Sequence, residues 1–177
     1  MNATPSVFHP AELVVYPAQG VGTIERIDSQ QVGGMTCDFF IVRIIASNVT
    51  LMVPLHSAGR VGLRHLVSPE EAEEVLAFLR TAAAKNVCTG QNWNRRFREY
   101  SDKLQSPDLH QVASVLKELL SIGQVKELSF GEKRLQEQAM GLVCGELAQV
   151  LQMEEATIRE QIIAAHTPES NAGAATS

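Results

Sequence analysis

From Asn92 to Arg98 the chain reads Asn-Trp-Asn-Arg-Arg-Phe-Arg, and this stretch carries the most pointed chemistry in the sequence. Trp93 is the only tryptophan, and Arg95, Arg96 and Arg98 follow it directly. Guanidinium groups grip phosphate oxygens through paired hydrogen bonds, and a flat apolar ring can wedge between base steps of a minor groove. Lys133 and Arg134, just inside a second expected helix start, would add phosphate contacts. Two readings of Trp93 stand side by side. In one it is a buried anchor and the arginines line a solvated face. In the other it projects from a helix end, because Asn92 is a good N-cap and places Trp93 in the first turn. Phe97 and Tyr100, at i+4 and i+7, then supply the buried stripe, continued by Leu104.

Other chemistries find no matching pattern. Histidines 9, 56, 65, 110 and 166 are scattered, with no HExxH motif and no Cys/His cluster at metal-ligand spacing. Gly20-Val21-Gly22 lacks the third glycine of a dinucleotide loop, and no phosphate-cradling GxxxxGK[ST] loop is present. The cysteines (Cys37, Cys88 and Cys144) are odd in number and form no CxxC pair, which argues for packed thiols in a reducing compartment. No apolar run is long enough to span a bilayer, and Met1 to Pro10 lacks the pattern of a secretory signal. The expectation is a cytoplasmic, non-enzymatic protein without cofactor, metal, membrane or small-molecule substrate.

The charge is distributed unevenly. The chain carries a formal −5, but residues 1–67 are balanced, 68–79 hold −4, 80–103 hold +4 and 104–177 hold −5. Exposed charges are screened beyond ~8 Å at physiological salt, so a basic island keeps a local positive face within an acidic protein. A generic nucleic-acid coat is excluded by the overall balance.

The elements that must hold this island fall into two classes. Leu13 to Tyr16, Gly20 to Ile27, Cys37 to Ile45 and Val49 to Val53 read as strands, with Val61 to Leu66 a weaker fifth. Gly33-Gly34 marks a hairpin, Ser47-Asn48 marks a turn, and Pro54 ends the fourth strand or sets it at an edge. From Ser68 the period becomes helical. Ser68-Pro69-Glu70-Glu71 and Ser129-Phe130-Gly131-Glu132 read as capping boxes, and Pro107-Asp108 opens a further helix. Helices are expected over 92–105, from 107, from 129 and over about 154–165. The fold class is α+β: a small antiparallel SH3/Tudor-like β-barrel over 1–67, a compact all-α domain over 68–166, and a disordered tail over 167–177.

With the motifs placed in order, the sequence resembles the CarD/CdnL family of bacterial transcription regulators from Phe8 to His166. The resemblance is carried by Val14-Val15-Tyr16-Pro17-Ala18-Gln19-Gly20-Val21-Gly22, by Met52-Val53-Pro54 and by Val61-Gly62-Leu63-Arg64. Asn92-Trp93-Asn94-Arg95-Arg96 and Leu128-Ser129-Phe130-Gly131-Glu132-Lys133-Arg134 complete it.

The resemblance implies a β domain that binds the β subunit of RNA polymerase and a helical domain that rests on promoter DNA at the upstream edge of the melted region. It makes Trp93 the wedge that stabilises the open complex, with Arg95, Arg96, Arg98 and Lys133 toward phosphates. It places polymerase contacts at Gln30 and Met52, where some relatives carry arginine. The neighbouring strand edge, with Val49, Leu51 and Pro54, is suited to main-chain pairing with a partner strand. A polymerase-docking adaptor working with another protein, and a free-standing architectural DNA binder, are the alternatives.

Overall fold

The computed structural model describes residues 8–82 and 92–167. Cys88 and, beyond Thr167, the tail expected over 167–177 lie outside the described residues.

Four strands form an antiparallel meander in the order β1-β2-β3-β4. They are β1 (Leu13–Tyr16), β2 (Gly20–Val32), β3 (Met35–Ile44) and β4 (Thr50–Pro54). Gly33 and Gly34 both adopt positive φ, at 58° and 80°, as a tight hairpin between long strands requires. Register shifts between Ile24 and Arg26, a bulge that increases the curl of β2. Gly22, which belongs to no nucleotide loop, sits where β3 passes close against it. A Cβ there would stand 2.7 Å from Val42 Cγ1 and 3.0 Å from the Arg43 carbonyl oxygen. The curled sheet closes over Val14, Ile24, Phe40, Val42, Ile44 and Val53, with Phe8, Ala58 and Leu63 filling the open side.

The expected fifth strand over 61–66 is not formed. Gly62 takes φ +87°, which turns the chain out of extended geometry. Only a two-way backbone exchange between Val15 and Arg64 remains, with N···O distances of 2.8 and 3.1 Å. The sheet is therefore a four-stranded half-barrel, not a closed five-stranded one.

Among the described residues five helices follow: α1 (Pro69–Arg80), α2 (Trp93–Leu104), α3 (Leu109–Val125), α4 (Phe130–Leu151) and α5 (Glu155–Ala165). The first four starts are capped by Ser68, Asn92, Asp108 and Ser129, while Glu154 before α5 makes no side-chain cap. The box at Ser129 is complete, but the one at Ser68 is half made. The Ser68 hydroxyl accepts from the Glu71 N–H, while the Glu71 carboxylate turns to His110 at 3.3 Å. Val75, Leu76 and Leu79 of α1 meet Val112, Leu116 and Leu119 of α3, Val143 and Leu147 of α4, and Ile158 and Ile162 of α5 in a second core.

One ion pair joins the sheet to the helices. Arg64, just after the Gly62 turn, donates from Nη1 and Nη2 to the two carboxylate oxygens of Glu146 at 2.7 and 2.8 Å. The Val67 N–H donates to the same carboxylate at 3.0 Å. Glu146 is only 1% exposed, so these donors replace its lost water. The Tyr16-to-Gly20 turn packs at this seam: Gly20 lies against Leu142, and Gly62 stacks so closely on Pro17 that a Cβ would come within 2.8 Å of the proline ring.

Removing one partner strands the other. Arg64→Met leaves the Glu146 carboxylate buried without its cation and is expected to cost about 3–5 kcal/mol. Arg64→Met combined with Glu146→Leu should regain most of that loss. Urea unfolding of both single variants and the double variant checks this, and near-additive losses would show that the two groups are not energetically coupled.

Candidate nucleic-acid interface

Trp93 opens α2 behind the Asn92 cap, whose side chain accepts the Asn94 N–H at 3.0 Å. Its indole is half-buried, so neither sequence reading holds whole. One side packs on α4 and the helical core, and the rest faces out. Gly131, in the first turn of α4, makes the packing possible. A Cβ at that position would lie 2.8 Å from Trp93 Cζ2, so the ring rests on bare backbone.

The arginines divide into two kinds. Arg95 and Arg98 are exposed on α2, and Arg95 holds an i,i+4 surface pair to Glu99 at 3.1 Å. Arg96 does not belong to a phosphate-facing set. It is 5% exposed, its Cζ 5.8 Å from the Trp93 ring centre and 5.6 Å from that of Tyr100. Its Nη2 reaches Glu132 Oε1 at 3.3 Å and the Tyr100 hydroxyl at 3.4 Å. The reason is helical spacing: 96, 100 and 104 form the inward row of α2, which carries Arg96 inside with Tyr100 and Leu104.

The same spacing turns Phe97 outward. Expected in the buried stripe, it is 44% exposed, its ring 5.6 Å from that of Trp93. Phe130, which sequence reasoning passed over, is 84% exposed at the first position of α4. The signal for it was present: a residue between the cap Ser129 and the inward Glu132 lies outside the core stripe of Leu135, Ala139 and Val143. Phe97 and Phe130 border a groove of about 340 Å³ with Arg134 on its wall. Lys133 is exposed on another side of α4, where it lines a groove with Leu128, Gln136 and His166 and pairs with exposed Glu127 at 3.2 Å. Such surface pairs are worth about 0.2–1 kcal/mol and yield readily to a phosphate.

Beneath this surface lies Glu132, buried at the third position of α4. The Ser129 N–H donates to its Oε2 at 2.8 Å, Lys126 Nζ stands 3.3 Å from both oxygens, and Arg96 approaches from α2. Burial by itself raises this carboxyl, but the Ser129 N–H and the Lys126 ammonium outweigh it and hold the pKa below the ordinary carboxylate range. The arrangement can present rings and cations to a stacked polyanion.

The Gln30, Met52 and Val49 group lies on the sheet, away from these helices. Gln30 is exposed on the β2–β3 ribbon opposite Cys37, and Met52 is 47% exposed on β4. Val49 is exposed just before β4, while Leu51 and Pro54 are partly covered. Among the described residues β4 pairs only with β3, so its outer edge is unpaired. As for thiol chemistry, Cys144 is buried against Met140, and desolvation pushes its pKa up to about 12, which leaves it protonated and inert. No helix among the described residues is long and apolar enough to cross a membrane.

Glu132 makes stability acid-sensitive in a stated direction. Its folded pKa is depressed from the reference 4.5, so its contribution is present above that value and is lost as pH falls through the folded pKa. Unfolding free energies across an acid series should therefore fall less steeply for Glu132→Gln than for wild type. Parallel slopes would show that the carboxylate carries no such contribution.

The comparisons with known proteins agree with this geometry in both halves. The family model for the CarD C-terminal domain matches residues 74–163, and the CarD-like/TRCF RID domain model matches residues 8–67. A Bacillus subtilis (strain 168) protein named "Putative transcription factor YdeB" is 21% identical over 153 residues, covering 86% of this chain and 98% of its own. An open-edged half-barrel bolted to a helical domain with an aromatic and basic face is thus matched over both of its parts, and the chain belongs to the CarD family, whose work is transcription regulation.

Proposed function

We propose that this protein docks on the β subunit of RNA polymerase through its sheet and stabilises the promoter open complex through its helical domain. Trp93 is the ring that wedges into the minor groove at the upstream edge of the melted DNA. The observation that supports this reading most directly is the surface around α2 and the start of α4. Trp93, Phe97 and Phe130 are exposed there in whole or part, Arg134 shares the groove of Phe97 and Phe130, and Arg95, Arg98 and Lys133 are exposed on the same two helices, on a chain of net charge −5. Aromatic rings left in water are costly to the free protein and useful to a binder of stacked bases. Arg96 has no place among the phosphate contacts, because Glu132 already engages it.

Docking through the sheet draws on the free edge of β4. Main-chain pairing with an extended partner strand needs no charge, and it suits a surface with Gln30 and Met52 where relatives carry arginine. The tether accounts for how an acidic protein holds DNA at all. Once docked, the second contact is intramolecular, so a weak DNA surface suffices. A melted edge is favourable for the wedge, since part of the unstacking cost is already met. With polymerase as its partner, the protein works in the bacterial cytoplasm, at the nucleoid.

Promoter-opening assays beside thermal melts test the proposal. Trp93→Ala should cost about 1–2 kcal/mol of stability, between a core aromatic and a surface residue. It should weaken the open complex by about 5- to 150-fold, the worth of one stacked base. Phenylalanine at 93 should restore part of the activity. Arg98→Ala and Arg134→Ala should each reduce the salt slope of complex formation by about one unit or less, alike across promoters. Met52→Glu should weaken polymerase binding without touching the helical domain. Normal open-complex lifetime in Trp93→Ala would sink the wedge; undiminished polymerase binding in Met52→Glu would move the docking surface elsewhere.

A further inference from the structure

We infer that Arg96 is a positioning residue: from the interior it sets the pose in which Trp93 is presented, with Glu132 as its anchor. This role rests on the wedge reading of Trp93 and extends it from the ring to what holds the ring. Along α2, positions 93, 96 and 100 lie on one side, and the Arg96 guanidinium stands between the Trp93 and Tyr100 rings at 5.8 and 5.6 Å. A planar cation at this spacing attracts both ring faces at once, which neither a lysine ammonium nor an aliphatic side chain does in the same geometry.

The guanidinium is itself fixed from α4. Glu132 Oε1 accepts from its Nη2, while Arg96 Nε is buried and finds no acceptor, so among the described residues Glu132 is the carboxylate that orients the group. Glu132 in turn is held by Ser129 N–H and Lys126. Gly131, its neighbour in sequence, is the backbone on which the indole rests. One turn of α4 therefore touches the indole directly through Gly131 and indirectly through Glu132 and Arg96. A side chain restrained in this way loses little rotamer freedom on entering a groove, which favours binding without any new contact.

Purely structural burial of Arg96 and a positioning role differ in what they move. Trp93 is the sole tryptophan, so its fluorescence reports the pose in the full-length protein. Arg96→Lys keeps a cation for Glu132 and removes the planar face. In folded protein it should raise acrylamide quenching of Trp93 and lower its anisotropy. On polymerase–promoter complexes it should shorten open-complex lifetime by about threefold or more, a share of the stacking effect. Wild-type quenching and lifetime in folded Arg96→Lys would overturn the inference. If that variant does not fold, Glu132→Gln, which keeps a capping side chain at the third position, is measured by the same quenching and lifetime. Changes in both then support the positioning role, and wild-type values in both overturn it. Trp93→Ala run in parallel separates the two ideas. An unchanged lifetime there removes the wedge reading and leaves the pose to be judged by fluorescence. A shortened lifetime there, with Arg96→Lys indistinguishable from wild type, removes the positioning role alone.

Discussion

A carboxylate taken out of water must be supplied with donors, and the way Glu132 meets that demand organises the face of the helical domain. One donor is the backbone N–H of Ser129, which starts α4. Another is the ammonium of Lys126 in the preceding loop, and a third is the guanidinium of Arg96 from α2. The first fixes where the helix begins. The last carries an arginine inside, between two aromatic rings. Phe130 and Gly131 then fall where the capping geometry leaves them, one in solvent and one beneath an indole. The aromatic and basic surface is the outer side of an inner charge network.

Glu146 meets the same demand near the other end of α4, and its donors come from the β half of the molecule. Arg64 and the Val67 N–H reach it across the seam. The two carboxylates stand about 21 Å apart along the helix at 1.5 Å per residue. Helix α4 thereby works as a spine, with one acid holding the aromatic face and the other holding the sheet. Rigid-body coupling of this kind matters to a tethered contact, because the gain in local concentration is largest when the linkage spans the two sites without slack.

The balance of charge has a functional sense within this frame. Acidic residues dominate α1, α5 and much of the surface, which discourages unassisted adsorption to DNA. Two of the exposed cations are held loosely, Arg95 by Glu99 and Lys133 by Glu127, in exposed pairs that a phosphate can replace. A weak and replaceable set of surface pairs suits the proposed role, in which the protein acts where polymerase places it. The Arg96 pair, being buried, cannot be exchanged in this way, and its role is correspondingly internal.

Much of this was legible in the chain itself. Caps, turns and strand runs depend on neighbours a few residues apart, so Ser129 with Glu132, Asn92 before Trp93, and Gly33-Gly34 could be placed from sequence spacing alone. The basic island and the order of the motifs are likewise linear facts, and they led to the right family and fold class. What only the tertiary structure decided are questions of facing. Arg96 and Arg95 are adjacent and alike in type, yet the inward row of α2 takes the first and water keeps the second. Phe97 and Tyr100 are assigned burial alike by hydrophobicity, yet Tyr100 is buried and Phe97 faces out. The weak strand at 61–66 gives way to a turn with positive φ at Gly62, a residue that also packs closely on Pro17 more than forty residues earlier in the chain. Local propensity sees spacing along one helix, but which side of that helix is inside depends on a partner distant in sequence. For α2 the partners are α3 and the start of α4, and the spacing within α2 does not show which of its sides they cover.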